Sequence, residues 1–217
     1  QSFALDMLMN QEIPIISMIG AAGCGKTLLA IAAGLDQVLD KNIYKKLVVS
    51  RPVQPVGRDI GFLPGTLEEK MSPWLMPVQD NLEFLMGDRK DTMALMMEQG
   101  TIEIEALTYI RGRSISNAFV IIDEAQNLTV HELKTIVTRI GENSKIILTG
   151  DIEQIDNTYI DATSNGLSYA IEKFKEYGKL SGKNTEDLLA GYRVNVNDDK
   201  KNPLDFVLWK PSSGNDP

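Results

Sequence analysis

Gly20-Ala21-Ala22-Gly23-Cys24-Gly25-Lys26-Thr27 decides the fold of this chain. The stretch follows the apolar run Ile13 to Ile19 and precedes the helix-forming run Leu28 to Ala33. Strand, glycine turn, helix is the context in which a GxxxxGK[ST] pattern forms a phosphate-binding loop. The glycines let the backbone curl so that N–H groups converge on phosphate oxygens, while the helix presents its positive end. The expected contacts to a nucleoside triphosphate run from Gly20 through Ala21, Ala22, Gly23, Cys24, Gly25, Lys26 and Thr27 to Leu28. Lys26 is set to reach the β- and γ-phosphates, and the Thr27 hydroxyl to coordinate Mg²⁺.

Two further strand ends belong with this loop. Phe119-Val-Ile-Ile-Asp123-Glu124 reads as a buried parallel strand that delivers two carboxylates at its C-terminal tip. Asp123 is expected to hold Mg²⁺ through water, and Glu124 to orient and deprotonate the attacking water. An acid pair, rather than one aspartate, favours hydrolysis over phosphate transfer to another substrate. The strand Lys145 to Thr149 ends in Gly150-Asp151, with Gln154 just beyond, placed to touch the γ-phosphate. The catalytic candidates are therefore Lys26, Glu124 and Gln154, and the metal candidates Thr27 and Asp123.

Strands alternating with helices predict an α/β fold, a doubly wound parallel sheet with ligands at the strand C-terminal ends. Strands are expected at Ile13 to Ile19, Leu47 to Ser50 and Ile102 to Leu107, besides the two above. Helices are expected at Ser2 to Asn10, Lys26 to Leu39, Thr66 to Met86 with a break near Pro73, and Asp88 to Gln99. Thr129 and Glu132 form a capping box that opens a helix to Arg139. A last helix is expected from Asn165 to Tyr177. Trp74 and the Met93, Met96, Met97 cluster read as packing residues, and His131 as an exposed imidazole.

Composition bounds the function classes. The chain has 217 residues, 43% apolar and 24% charged, which is a globular composition of one domain with an appendage. No apolar run is long enough to span a membrane, and a single cysteine rules out an internal disulfide framework, so a cytoplasmic address is expected. A net charge of −8 argues against a general basic field for nucleic acid, so any such contact must come from a local patch. The chain opens on Gln1 rather than methionine and is expected to be a fragment of something longer.

With these residues in hand, the chain resembles the PhoH-like ATPase family, related to the first motor domain of superfamily 1 helicases. The similarity rests on the phosphate loop, Arg51-Pro52, Gly61-Phe-Leu-Pro-Gly65, Tyr109-Ile-Arg-Gly-Arg113, Asp123-Glu-Ala-Gln-Asn127 and Leu148-Thr-Gly-Asp151 with Gln154. The resemblance implies a RecA-like P-loop domain over residues 1–176, with ATP and Mg²⁺ as cofactors and RNA as a partner. It also implies that Gln1, matching a Gln-x-x-Ala pattern with Ala4, reads the adenine edge. Residues 177–217 are similar instead to an internal stretch of cysteinyl-tRNA synthetases that includes none of that enzyme's signatures. That tail is expected to be foreign to the ATPase and loosely docked.

Arg51, Arg58, Arg111 and Arg113 are the candidates for contact with RNA or a neighbouring subunit. Hydrolysis of this type usually uses an arginine finger, and none is evident in the sequence, which implies a ring or other homo-oligomer. The leading expectation is ATP hydrolysis coupled to RNA binding or remodelling. Two others stand beside it: a nucleotide-gated binding module or inactive fragment, and a small-molecule kinase.

Overall fold

The computed structural model describes residues 2–52, 67–87, 90–110 and 112–180. Gln1, Arg58, Arg111, the Gly61 to Gly65 stretch and everything after residue 180 lie outside the described residues.

Five strands form one parallel sheet: β1 (Ile15–Ile19), β2 (Lys46–Arg51), β3 (Ile102–Ala106), β4 (Ala118–Ile122) and β5 (Lys145–Gly150). Their order is β1-β5-β4-β2-β3. The chain therefore leaves β1, crosses two strand positions to β2, and later returns to fill the gap with β4 and β5. That reversal brings the tips of β1, β5, β4 and β2 side by side, where ligands bind in such sheets.

The pleat explains the two cores. Leu47, Val49, Phe119, Ile121 and Ile147 face one side, packed with α1 (Ser2–Met9), α2 (Lys26–Leu35), α3 (Leu67–Met86) and α4 (Lys90–Glu98). Val48, Val120, Ile122, Ile146 and Leu148 face the other, against α5 (Leu107–Ile110), α6 (Val130–Val137) and α7 (Gly166–Leu180). Strands buried on both faces must be apolar throughout, and all five residues of β4 are.

Several boundaries differ from expectation for physical reasons. Strand β1 starts at Ile15 because Pro14 has no N–H; its carbonyl still accepts from Ile146. Helix α2 continues beyond Leu35 as one π-helical turn, Asp36–Asp40. Helix α3 runs on through Pro73 and Pro77, both exposed, rather than breaking near Pro73. Helix α7 goes on to Leu180, past the expected end at Tyr177. The capping box at Thr129 and Glu132 is formed as read, and Met93, Met96 and Met97 pack on the core.

One close approach fixes the height of α2 over the sheet. A Cβ on Gly34 would lie 2.7 Å from Leu47 Cδ1 and 3.0 Å from Phe119 Cδ1. Gly34→Ala gains about 1 kcal/mol of helix propensity and costs roughly 1–3 kcal/mol in overpacking. A net loss of stability is expected, read as a lower urea midpoint by circular dichroism.

Helix α1 is fastened to the sheet by polar groups. Lys145, fully buried at the start of β5, donates to the carbonyls of Met7 (3.1 Å), Leu8 (2.7 Å) and Asn10 (2.7 Å). A cation thus meets the last carbonyls of a helix, where the helix dipole favours it. Gln37 of the π turn adds a bond to Leu8 O at 3.2 Å.

Candidate nucleotide site

Gly23 and Gly25 hold positive φ angles of 77° and 85°, which L-residues with a Cβ rarely adopt. These two left-handed steps curl the loop between β1 and α2. The Lys26 ammonium donates to the loop's own carbonyls, Gly20 O at 2.7 Å and Ala21 O at 2.9 Å. The Ala22 N–H donates to Asp151 Oδ2 at 3.0 Å, so a carboxylate from the tip of β5 rests on the cradle.

Asp123, at the tip of β4, is 4% exposed and joins three strand ends. Its Oδ1 accepts from Thr27 Oγ1 and from Thr149 Oγ1, each at 2.7 Å. Its Oδ2 lies 3.9 Å from Arg51 Nη1. Hydroxyl and carboxylate oxygens brought together in this way are the hard donors that a divalent cation such as Mg²⁺ takes, with phosphate and water completing the shell.

Glu124 is held in an unusual backbone state, φ 54° and ψ 40°. Left-handed backbone at a residue with a Cβ costs on the order of 1–3 kcal/mol and persists only where the surroundings enforce it. The enforcement is visible. Glu124 Oε1 pairs with Arg51 Nη2 at 3.4 Å, and Oε2 accepts from Gln126 Nε2 at 2.6 Å.

Residues 1–186 match the family described as PhoH-like protein. The chain belongs to that family. It is 59% identical over 177 residues to Protein PhoH2 of Bacillus subtilis, covering 81% of this chain and 40% of that protein. It is 41% identical over 162 residues to Protein PhoH of Escherichia coli, covering 75% of this chain and 45% of that one. Among solved structures it is similar to the Sulfolobus solfataricus SWI2/SNF2 ATPase core in complex with dsDNA, at 20% identity and a TM-score of 0.47. That likeness covers 86% of this chain and 40% of the other. The chain thus spans less than half the length of these relatives. No described helix is long and apolar enough to cross a membrane.

In this PhoH-like chain the Gly20 to Leu28 stretch meets the tip of β4 through the Thr27–Asp123 bond, and Glu124 follows Asp123 directly in the chain. Gln154 is near them, but its side chain is exposed; its main chain, not its amide, is engaged, through a carbonyl bonded to Gln126. Cys24 is a half-buried free thiol within the loop.

Of the four arginine candidates, the two that are described, Arg51 and Arg113, both pair with acids of this chain. Arg51 points inward to the acid pair rather than outward. Arg113 bridges Glu103 and Glu105 on the edge strand β3, and Lys46 pairs with Glu103 at 2.9 Å. Burial pushes both carboxyls up; on Glu103 the hydrogen bonds from Lys46 and Arg113 outweigh it and hold the group low, while Glu105 stays raised.

Three site residues escaped the reading of roles from sequence, although the motif segments contain them. Thr149 braces Asp123, Asp151 caps the phosphate loop, and Gln126 holds Glu124. The signal was a polar residue in an otherwise buried segment: Thr149 and Gln126 are both fully buried.

Proposed function

We propose that this chain binds ATP at the Gly20–Thr27 loop and hydrolyses it with Mg²⁺, as the nucleotide-driven part of an RNA-acting protein. The observation that carries this reading is the 2.7 Å bond from Thr27 to Asp123, which makes the phosphate loop and the acid tip of β4 one site. Main-chain amides and Lys26 grip the triphosphate; the ammonium leaves two neutral carbonyls for a charged phosphate, the stronger acceptor. Thr27 and Asp123 would hold Mg²⁺, whose charge would offset that developing on the phosphate oxygens. Asp151 yields the Ala22 N–H to the incoming anion. Glu124 takes the proton of the attacking water as the γ-phosphate bond breaks, giving ADP and inorganic phosphate.

RNA as the effector follows from family resemblance. The two described arginine candidates, Arg51 and Arg113, are engaged within the chain, so an RNA surface would recruit Arg58 and Arg111 or release Arg51. A further cation for the γ-phosphate is proposed to come from a second copy of the chain.

Steady-state phosphate release from Mg-ATP, with and without single-stranded RNA and over a range of protein concentrations, tests these parts separately. Expected are turnover without any acceptor, stimulation by RNA, and specific activity that rises with protein concentration. Phosphate appearing only on an added acceptor would mean a kinase. Binding without turnover at any concentration would mean a nucleotide-gated module.

A further inference from the structure

The loop after β5 and the turn after β4 are bound to each other more closely than chain connectivity requires. Gln126 lies in the short 3-10 turn Ala125–Asn127 and is fully buried. Its Nε2 donates both to Glu124 Oε2 at 2.6 Å and to Gln154 O at 2.9 Å, and its Oε1 accepts from Asp151 N at 3.2 Å. Both ends of one amide are therefore committed, the nitrogen to Glu124 and to Gln154 O, and the oxygen to Asp151 N. Asn127 extends the tie: its Oδ1 accepts from Asp156 N (2.8 Å) and Asn157 N (3.3 Å), and its carbonyl from Asn157 Nδ2 (3.1 Å). There is no slack in the fit. A Cβ on Gly150 would lie 2.5 Å from Gln126 Oε1.

Asp151 meanwhile contacts the phosphate loop directly, through Ala22 N. An anion that displaces Asp151 from Ala22 disturbs the same short segment whose main chain Gln126 holds. Such a shift reaches Glu124 through one side chain, and Glu124 sits in a backbone state that its contacts must maintain.

We infer that Gln126 is a positioning residue that couples the phosphate-sensing loop Asp151–Gln154 to the aim of the Glu124 carboxylate. This rests on the hydrolase reading above. Gln126 is fully buried with its amide bonded within the chain; it acts by fixing where the base points, and by changing that setting when the loop moves.

The test uses Gln126→Leu, which keeps the volume and removes the amide, and Gln126→Asn, which keeps the amide but shortens its reach. Each is made alone and on a Glu124→Gln background. Turnover is measured by phosphate release, and affinity by fluorescent-ATP titration. Misplacing a catalytic group by about 1 Å costs on the order of 100-fold. Expected is a fall in kcat of roughly 10- to 100-fold for either variant, ATP affinity within about threefold of wild type, and no further loss on the Glu124→Gln background. If one variant does not fold, by circular dichroism, the other supplies the same reading. Wild-type kcat in a folded variant would overturn the inference, as would affinity falling in step with kcat or a full penalty persisting without Glu124. If the wild-type chain itself releases no phosphate, hydrolysis is what fails; the coupling is then read from the loop. Gln126→Leu should in that case alter proteolytic protection of residues 151–157 on adding Mg-ATP, and unchanged protection would refute it.

Discussion

Lys26→Ala is expected to weaken Mg-ATP binding by at least about 100-fold while leaving the fold intact. Hydrogen bonds to charged groups contribute about 1.5–3 kcal/mol each, and in the proposed function the ammonium would reach two phosphates. Its partners within the chain are the partly exposed carbonyls of Gly20 and Ala21, which water can satisfy after substitution. Affinity should therefore collapse while stability barely moves. Titration with a fluorescent ATP analogue, beside a thermal melt of the same preparation, separates the two effects. Unaltered affinity would remove the phosphate loop from the site.

Lys145→Met is the opposite case, with little direct effect on nucleotide contacts and a large one on stability. The substitution keeps the volume but leaves the carbonyls of Met7, Leu8 and Asn10 without their donor. Leaving a buried acceptor unsatisfied costs about 1–3 kcal/mol, and Leu8 is fully buried. A loss of roughly 2–4 kcal/mol is expected on that basis, with α1 undocking first. The effect has a pH signature. Burial pushes the Lys145 ammonium down to about 8 from its ordinary 10.5. Between those values the unfolded chain binds the proton that the folded chain has released, so stability rises with pH across that window. This contribution is fully present above 10.5 and is lost as pH falls through about 8. The stability difference between wild type and Lys145→Met should therefore widen from pH 8 upward. A difference that is flat over that range would show that Lys145 titrates alike in both states.

Much of this was legible in the sequence because the decisive features are local. Gly20 to Thr27 fixes a turn within eight residues, Phe119 to Glu124 marks its own strand and tip, and Thr129 with Glu132 forms its cap three residues apart. What escaped depends on strand order, which local pattern does not encode. Arg51 meets Glu124 only because β2 lies beside β4, a pairing across a long stretch of chain. Thr149 reaches Asp123, and Gln126 reaches Gln154, only because β5 fits between β1 and β4. The prolines of α3 misled because a proline disfavours a helix interior without forbidding it, and Pro73 and Pro77 both lie inside α3 on its exposed side.

The most direct measurement compares phosphate release from Mg-ATP by wild type and Glu124→Gln, at nucleotide concentrations shown by titration to saturate both. Expected is sustained release by wild type and a rate lower by at least about 100-fold for the variant, as for loss of a general base, with ATP still bound. Equal rates from two saturated proteins would contradict the assignment of Glu124 as the group that activates water.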